Sequence, residues 1–147
     1  MQIIQESVIH KPIEDCWEIL GTQYTEIYKW ASAVHHAHGD EKPTIDGASC
    51  DIRGCTLEGI GDIEERLTAF EPTNYYLAYT VTKGLPNMME AAQNSWQLES
   101  IDSGKTKVRM KADIAPKGFM AKLMGPMIKM QFTKMLRNTV EEFKYYT

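Results

Sequence analysis

One carboxylate in the middle of the chain occupies a position where acid–base chemistry or ligand recognition would be expected. Between Ile63 and Ala69, apolar residues alternate with polar ones in the period-two pattern of a strand with one buried face. The alternation places Glu65 on the buried face, next to Leu67. A buried carboxylate is costly unless it is hydrogen-bonded, paired or protonated, and such carboxylates often lie in functional clefts. Glu65 could instead reach solvent, pair with an inward Arg or Lys, or be turned outward by a bulge, which would bring Glu64 inward.

Neighbouring segments with the same alternation supply walls for a site around Glu65. Tyr79 lies between Leu77 and Val81 on one predicted strand, and Trp96 shares a face with Asn94 on another. Aromatic and amide groups among apolar residues are typical of ligand pockets, although ordinary core aromatics show the same pattern. The ligand-binding candidates are Glu65, Leu67, Tyr79, Val81, Asn94, Trp96, Met110, Met120, Met124, Met127 and Gln131.

Three histidines in close succession, at His35, His36 and His38, raise the question of a metal site. On a strand, His36 and His38 would share a face, with Cys50, Cys55 or Asp51 as possible further ligands. Nothing in the sequence brings these groups together, and an exposed polar strand is the favoured interpretation, so we expect no metal. The chain has no Ser-His-Asp order, phosphate loop or dinucleotide motif, and we expect no cofactor.

The C-terminal segment from about 117 to 145 has the pattern of a long helix. Met120, Met124, Met127, Gln131 and Met135 recur every three or four residues and would form one stripe on it. Methionine adapts its shape to irregular spaces, so this stripe could close an ordinary core or cover a cavity. Pro126 should bend or break the helix near Gly125.

The remaining elements predict an α+β chain with helices on one side of an antiparallel sheet. A strand at about 2–10 is followed by two short helices before residue 31. Turn residues then separate six further strands between 33 and 114. Two loops, Leu57–Gly61 and Lys83–Glu90, should surround the mouth of any cavity. The second carries exposed apolar residues that could act as a lid or fold inward as a plain hairpin tip.

Size and composition set the broad class. The 147 residues are 43% hydrophobic and carry a net charge of −4, which fits one domain over residues 1–147. This mild acidity indicates neither a nucleic-acid partner nor a basic patch for anionic membranes. No secretory signal or membrane span is expected, and three cysteines suggest reduced thiols in a cytoplasmic protein. The sequence does not define an oligomeric state.

Several of these segments, in this order, resemble the START-like (SRPBCC) superfamily. The resemblance rests on the segment 12–20 with Trp17, on the run from Gly61 to Pro72 with its Glu-Arg-Leu tripeptide, and on the closing helix. The closing helix is similar to that of members described as polyketide cyclase/dehydrase. The resemblance implies a helix-grip fold, as in the birch-pollen allergens, with a curved seven-stranded antiparallel sheet around a long C-terminal helix and an apolar cavity between them.

The resemblance also suggests roles for individual residues. In the plant abscisic-acid receptors, which share this fold, the Glu of Glu-Arg-Leu lies in the pocket and helps to bind a polar ligand group through water, and Glu65 matches it. Gly84-Leu85-Pro86 resembles the gate loop of those receptors, although Lys83 and Asn87 differ from the residues that flank that gate.

Three functions remain open from the sequence. The first is binding of a small hydrophobic molecule of lipid, polyketide or isoprenoid type. The second is a polyketide cyclase or dehydratase with Glu65 as acid or base and Tyr79 or Trp96 orienting the substrate. The third is a regulatory module that contacts another protein through the loops at the cavity mouth. A histidine or arginine beside Glu65 would favour the enzyme.

Overall fold

A computed structural model describes residues 1–147 and shows the predicted order of elements. The two α-helices are α1 (Ile13–Trp17) and α2 (Gly118–Tyr146). Shorter helical turns cover Glu18–Thr22, Tyr24–Lys29 and Pro72–Asn74. The seven strands are β1 (Gln2–Ile9), β2 (Val34–Gly39), β3 (Ile52–Leu57), β4 (Gly61–Glu71), β5 (Tyr76–Lys83), β6 (Met89–Asp102) and β7 (Lys105–Pro116).

The strands form one antiparallel sheet in the order β1-β7-β6-β5-β4-β3-β2. Strands β2 to β7 follow one another as neighbours, and β1 returns to pair with β7, where Ile3 lies opposite Ala112. One face of β7 is buried and the other is charged, as the alternation predicted. Helix α2 packs across the buried face and contacts β1 and β7. This is the predicted helix-grip architecture, with the core between sheet and helix.

Helix α2 is continuous through Pro126, so the break that we considered near Gly125 does not occur. Its buried residues are Gly125, Ile128, Leu136, Val140 and Phe143. The methionine stripe predicted for this surface is therefore wrong in part: Met127 and Gln131 are exposed, whereas Met124 and Met135 are half-buried and pack against the core. Branched and aromatic side chains occupy most of the buried face, whose centre lies roughly 120° around the helix from that of the predicted stripe. No helix of the structure is long and apolar enough to cross a bilayer.

A bulge in β4 corrects one detail of the predicted alternation. The strand pairing with β5 shifts between Leu67 and Ala69. After this point Phe70, rather than Ala69, is buried, and it packs against Trp17 with 5.5 Å between ring centroids. A second shift falls between Glu64 and Glu65, yet Glu65 remains on the inner face.

Candidate functional site

A cavity of about 110 Å³ lies between the concave face of the sheet and helix α2. Hydrophobic side chains make up 16 of its 21 lining residues, so the space suits an apolar molecule. From α2 it receives Phe132, Met135, Leu136 and Thr139. The wall opposite the sheet also includes Ile27 of the second helical turn.

Both loops predicted at the mouth supply residues to this cavity. Leu57, the last residue of β3, and Ile60 come from the first of these segments, and Leu85 and Pro86 come from the β5–β6 loop. The apolar residues of the second loop therefore turn partly inward.

The β5–β6 loop is fixed at both ends. At one end Gly84 has a φ of +89°, and a Cβ at this position would lie 2.2 Å from the carbonyl oxygen of Asp62. Only glycine fits such an approach without strain. At the other end the backbone N–H of Lys117 donates a hydrogen bond of 2.8 Å to the carbonyl of Met88, which ties the loop to the start of α2.

The charged part of the cavity wall is an ion pair between Arg53 and Glu65, which lie directly opposite each other on β3 and β4. The Arg53 Nε and Nη2 donate to Glu65 Oε1 at 3.3 and 3.0 Å. Both residues are buried, with 2% and 5% of their surface exposed. Pairing with an inward arginine was one of the alternatives that the sequence left open for Glu65, and the structure shows this pairing.

Two tyrosines and a backbone carbonyl hold the guanidinium in place. Arg53 Cζ lies 3.8 Å from the ring centroid of Tyr24 and 5.1 Å from that of Tyr79. Its Nη1 donates to the carbonyl oxygen of Tyr24 at 2.8 Å. Burial disfavours the charged guanidinium, but the Glu65 carboxylate, together with Tyr24, Cys55 and Tyr79, raises the pKa of Arg53 well above its ordinary value. Arg53 therefore stays charged.

Two further titratable groups next to this pair stay neutral. The Cys55 thiol donates to Glu65 Oε1 at 3.1 Å, and burial, together with Glu65, raises its pKa to about 12. Burial and Glu65 likewise raise the pKa of Tyr79 to about 12. Near neutral pH, Cys55 is not a thiolate nucleophile and Tyr79 is a phenol that can donate a hydrogen bond.

The arrangement leaves one acceptor free for a ligand. All protein hydrogen bonds to the Glu65 carboxylate end on Oε1, and no protein donor contacts Oε2. A carboxylate paired with a guanidinium accepts hydrogen bonds and can act as a base, but it has no proton to donate. The cavity thus combines apolar walls with an acceptor whose charge is neutralised by its neighbour.

Five of the predicted ligand-binding residues line this cavity: Glu65, Tyr79, Val81, Asn94 and Met110. Strand alternation brings them together, because neighbouring strands pair Glu65 with Val81 and Tyr79 with Asn94. That any of them contacts a ligand stays a prediction.

The other six candidates are not at the cavity. Trp96 is 1% exposed and packs against Trp30 and Phe143, so it belongs to an aromatic core cluster. Leu67 is also a buried core residue. The rotation of α2 keeps the rest away: Met127 and Gln131 face solvent, and Met120 and Met124 are half-buried but do not line the cavity.

Sequence reasoning missed Arg53, Phe132 and Thr139. The sequence pattern that could have identified Arg53 is its spacing of two residues from Cys55 and four from Leu57. On a strand this spacing places the basic side chain on the same inward face as those two residues. A buried Glu65 needs such a partner. The two helix residues could not be identified without the correct rotation of α2.

The histidine cluster is separate from this site. His36 and His38 lie on the sheet edge strand β2, with 5.7 Å between their ring centroids, and both are exposed. His36 also stacks on Tyr28. The structure brings together no group of three His, Cys, Asp or Glu side chains that could hold a metal ion.

Comparison with known proteins supports the fold. A family model described as polyketide cyclase/dehydrase and lipid transport matches residues 1–144. No curated protein matches the chain in sequence.

Similar solved structures cover nearly the whole chain. The aromatase/cyclase Zhui from Streptomyces sp. R1128 has a TM-score of 0.82 at 10% identity, over 99% of this chain and 92% of that one. A START superfamily protein from Mycobacterium smegmatis has a TM-score of 0.67 at 11% identity, over 96% and 97%. Ara h 8.0201 has a TM-score of 0.69 at 16% identity, over 97% of both chains. At these identities the likeness establishes the helix-grip fold alone.

Proposed function

The chain belongs to the polyketide cyclase/dehydrase and lipid transport family, and we propose that it binds a small hydrophobic molecule in the cavity between sheet and α2. The observation that carries the proposal is the cavity lining, which is apolar except for a few polar groups around a self-neutralised ion pair. The ligand would place a hydroxyl or similar donor against Glu65 Oε2 and its apolar body among the remaining walls. Lipids, polyketides and isoprenoids include molecules of this kind.

The cavity volume limits what fits without movement. At about 110 Å³ it compares with the roughly 150 Å³ engineered cavity that accommodates benzene. A larger ligand requires the walls to move. The adaptable side chains of Met110 and Met135 and the β5–β6 loop with Leu85 are the parts of the wall suited to this.

Native mass spectrometry of the purified protein would test the proposal by looking for a co-purified small molecule. Titration with a fluorescent apolar probe provides the second measurement. Val81→Phe should fill part of the cavity and weaken probe binding by about tenfold or more. Thr80→Phe is the matched control, because Thr80 precedes Val81 on the same strand and does not line the cavity.

Equal probe binding by the two phenylalanine variants would contradict the proposal, provided that both remain folded. Circular dichroism of each variant checks that condition.

A cyclase or dehydratase is the second candidate, and the Arg53–Glu65 pair is the observation that favours it. Glu65 can remove a proton from a carbon next to a carbonyl, and Arg53, held beside it, can stabilise the resulting negative charge. A dehydratase also needs an acid to protonate the departing hydroxyl group. The neutral phenol of Tyr79 is the candidate for that role.

Glu65→Gln separates the two functions. The variant keeps the shape of the side chain and one acceptor oxygen but cannot accept a proton as a base. A binding protein should retain probe affinity in this variant, whereas an enzyme should lose turnover. If a demonstrated turnover survives Glu65→Gln, Glu65 is not the base.

We also propose a cytoplasmic location. Cys16, Cys50 and Cys55 are all free and buried, which fits a reducing compartment. Fluorescence microscopy of a tagged chain, or cell fractionation, would test the location.

A further inference from the structure

The first half of α2 exposes an apolar stripe that the fold leaves uncovered. Phe119, Leu123 and Met130 have 75%, 68% and 66% of their surface exposed, and Met127 has 41%. Their spacing of three and four residues puts them on one side of the helix, away from the buried face with Ile128. Large apolar residues that are exposed together, rather than singly, mark a surface for another molecule.

The charged residues on the chain segment that carries this stripe all have one sign. The segment from Lys117, which precedes α2, to Val140 contains Lys117, Lys122, Lys129, Lys134 and Arg137 and no acidic residue. All five basic side chains are exposed. The rest of the chain holds all twenty acidic residues and only eleven basic ones. The net charge of −4 therefore conceals a local basic patch, and the expectation of none from composition was wrong.

The stripe also continues to the mouth of the cavity. Lys117, whose N–H binds the Met88 carbonyl, comes two residues before Phe119. Met88 is itself 36% exposed and belongs to the loop whose Leu85 and Pro86 line the cavity. The exposed apolar surface and the cavity mouth are thus joined through one short segment.

We propose that this stripe docks the protein on an anionic lipid membrane. Phe119, Leu123 and Met130 enter the boundary between headgroups and acyl chains, and the lysines beside them contact acidic headgroups. A basic amphipathic surface with exposed aromatic and aliphatic residues matches a membrane in both charge and polarity. The docking surface lies outside the cavity, so this proposal does not depend on what the cavity binds.

Sedimentation with lipid vesicles tests the proposal. The wild-type chain should bind vesicles of phosphatidylcholine with phosphatidylserine, bind vesicles of phosphatidylcholine alone much more weakly, and dissociate as salt rises. Lys122→Gln with Lys129→Gln should lower the partition coefficient about 25-fold, at roughly fivefold for each lysine. Phe119→Ser with Leu123→Ser should lower it by about tenfold or more.

Matched controls use exposed residues elsewhere. Ile101 is 52% exposed near the β6–β7 turn, so Ile101→Ser should leave vesicle binding unchanged. Lys42→Gln with Lys105→Gln removes two exposed lysines outside α2 and should have little effect. Probe binding in the cavity should be retained in all these variants, which shows that they are folded.

Three results would overturn the proposal. The first is absence of phosphatidylserine-dependent binding by the wild type. The second is binding that both stripe variants leave unchanged, or that the control pairs weaken equally. The third is a dimer, seen by light scattering, that Phe119→Ser with Leu123→Ser converts to a monomer, since the stripe would then be a self-association surface.

Discussion

At the scale of single residues, Glu65 is held in the cavity by an arginine on the neighbouring strand. Its Oε1 accepts hydrogen bonds from Arg53 and Cys55, while Oε2 has no protein donor. The pair removes most of the cost of burying either charge alone. It also makes the carboxylate an acceptor, which suits recognition of a ligand hydroxyl better than donation of a proton.

The coupling of this pair can be measured by a double-mutant cycle. Arg53→Met should lower the free energy of unfolding by about 3–5 kcal/mol, because it leaves the Glu65 carboxylate buried without a counter-charge. The double variant Arg53→Met with Glu65→Leu should be more stable than Arg53→Met alone. Urea denaturation gives all four values. Single-variant losses that simply add in the double variant would contradict a strong pair.

The neutral groups beside the pair predict a loss of stability in alkali. The folded pKa of Cys55 is about 12, above its ordinary value of 9.0, so between these values the unfolded chain loses a proton that the folded chain keeps. Stability should fall as pH rises above 9, by about 1 kcal/mol between pH 9 and 10 from this thiol. Tyr79 adds to the fall above pH 10.

Denaturation at pH 8, 9 and 10 measures this slope, and Cys55→Ala is the variant to compare. The slope should be shallower without the thiol. An unchanged slope in Cys55→Ala would show that other buried groups, such as Cys50, cause the alkaline loss.

The sequence predicted the inward position of Glu65 but not its partner. Alternation within a strand assigns a residue to a face, and this succeeded for Glu65, Tyr79 and Asn94. It does not give the register between strands, which alone places Arg53 opposite Glu65. The alternation also failed at Phe70, because a bulge cannot be recognised from residue types alone.

At the scale of elements, helix α2 shows how a correct helix can be assigned the wrong face. Its position and length follow from its periodicity, and the structure agrees with both. Two apolar stripes run along it, however, and periodicity alone does not distinguish the methionine stripe from the stripe that is buried. Packing against the sheet selects Ile128, Leu136 and Phe143, whose branched or aromatic side chains fill the core more completely.

Adjacent residues of α2 test this orientation directly. Ile128→Ala should lower the free energy of unfolding by about 2–5 kcal/mol, because Ile128 is 2% exposed. Met127→Ala should change it by less than about 0.5 kcal/mol, since Met127 faces solvent. Thermal or urea denaturation compares the two, and similar losses would show that the helix is rotated differently.

The β5–β6 loop offers a second test at this scale. Gly84→Ala requires a left-handed backbone for alanine and puts a Cβ against the Asp62 carbonyl, so it should cost about 1–3 kcal/mol and displace the loop. Gly59→Ala is the matched control, with a φ of +75° and no atom within 4 Å of the new Cβ. Gly84→Ala should therefore lose more stability and release a cavity probe faster. Equal effects would mean that the loop does not depend on this close approach.

At the scale of the whole molecule, one core of 31 buried residues draws on β1, α1, every later strand and α2. The pairing of β1 with β7 joins the N-terminal strand to the last strand of the chain, as does the hydrogen bond from the Met1 amino group to the Ile114 carbonyl. The order of elements predicted an antiparallel sheet with helices on one side, and the resemblance to the START-like superfamily implied the helix-grip arrangement. The net charge of the chain was not sufficient to predict how charge is distributed over its surface. It combines an acidic majority of the chain with a basic segment at the start of α2.

The same geometry predicts that docking and release are linked. The membrane stripe begins at Phe119, and the Lys117–Met88 hydrogen bond connects that point to the loop over the cavity. Insertion of Phe119 and Leu123 into a bilayer would pull on this connection and favour an open mouth. Vesicles with phosphatidylserine should therefore speed the release of a fluorescent cavity probe, measured by stopped flow. Phe119→Ser with Leu123→Ser should abolish the acceleration while leaving release in buffer unchanged. If vesicles bind the wild-type chain but release remains as slow as in buffer, the surface docks the protein without opening the cavity.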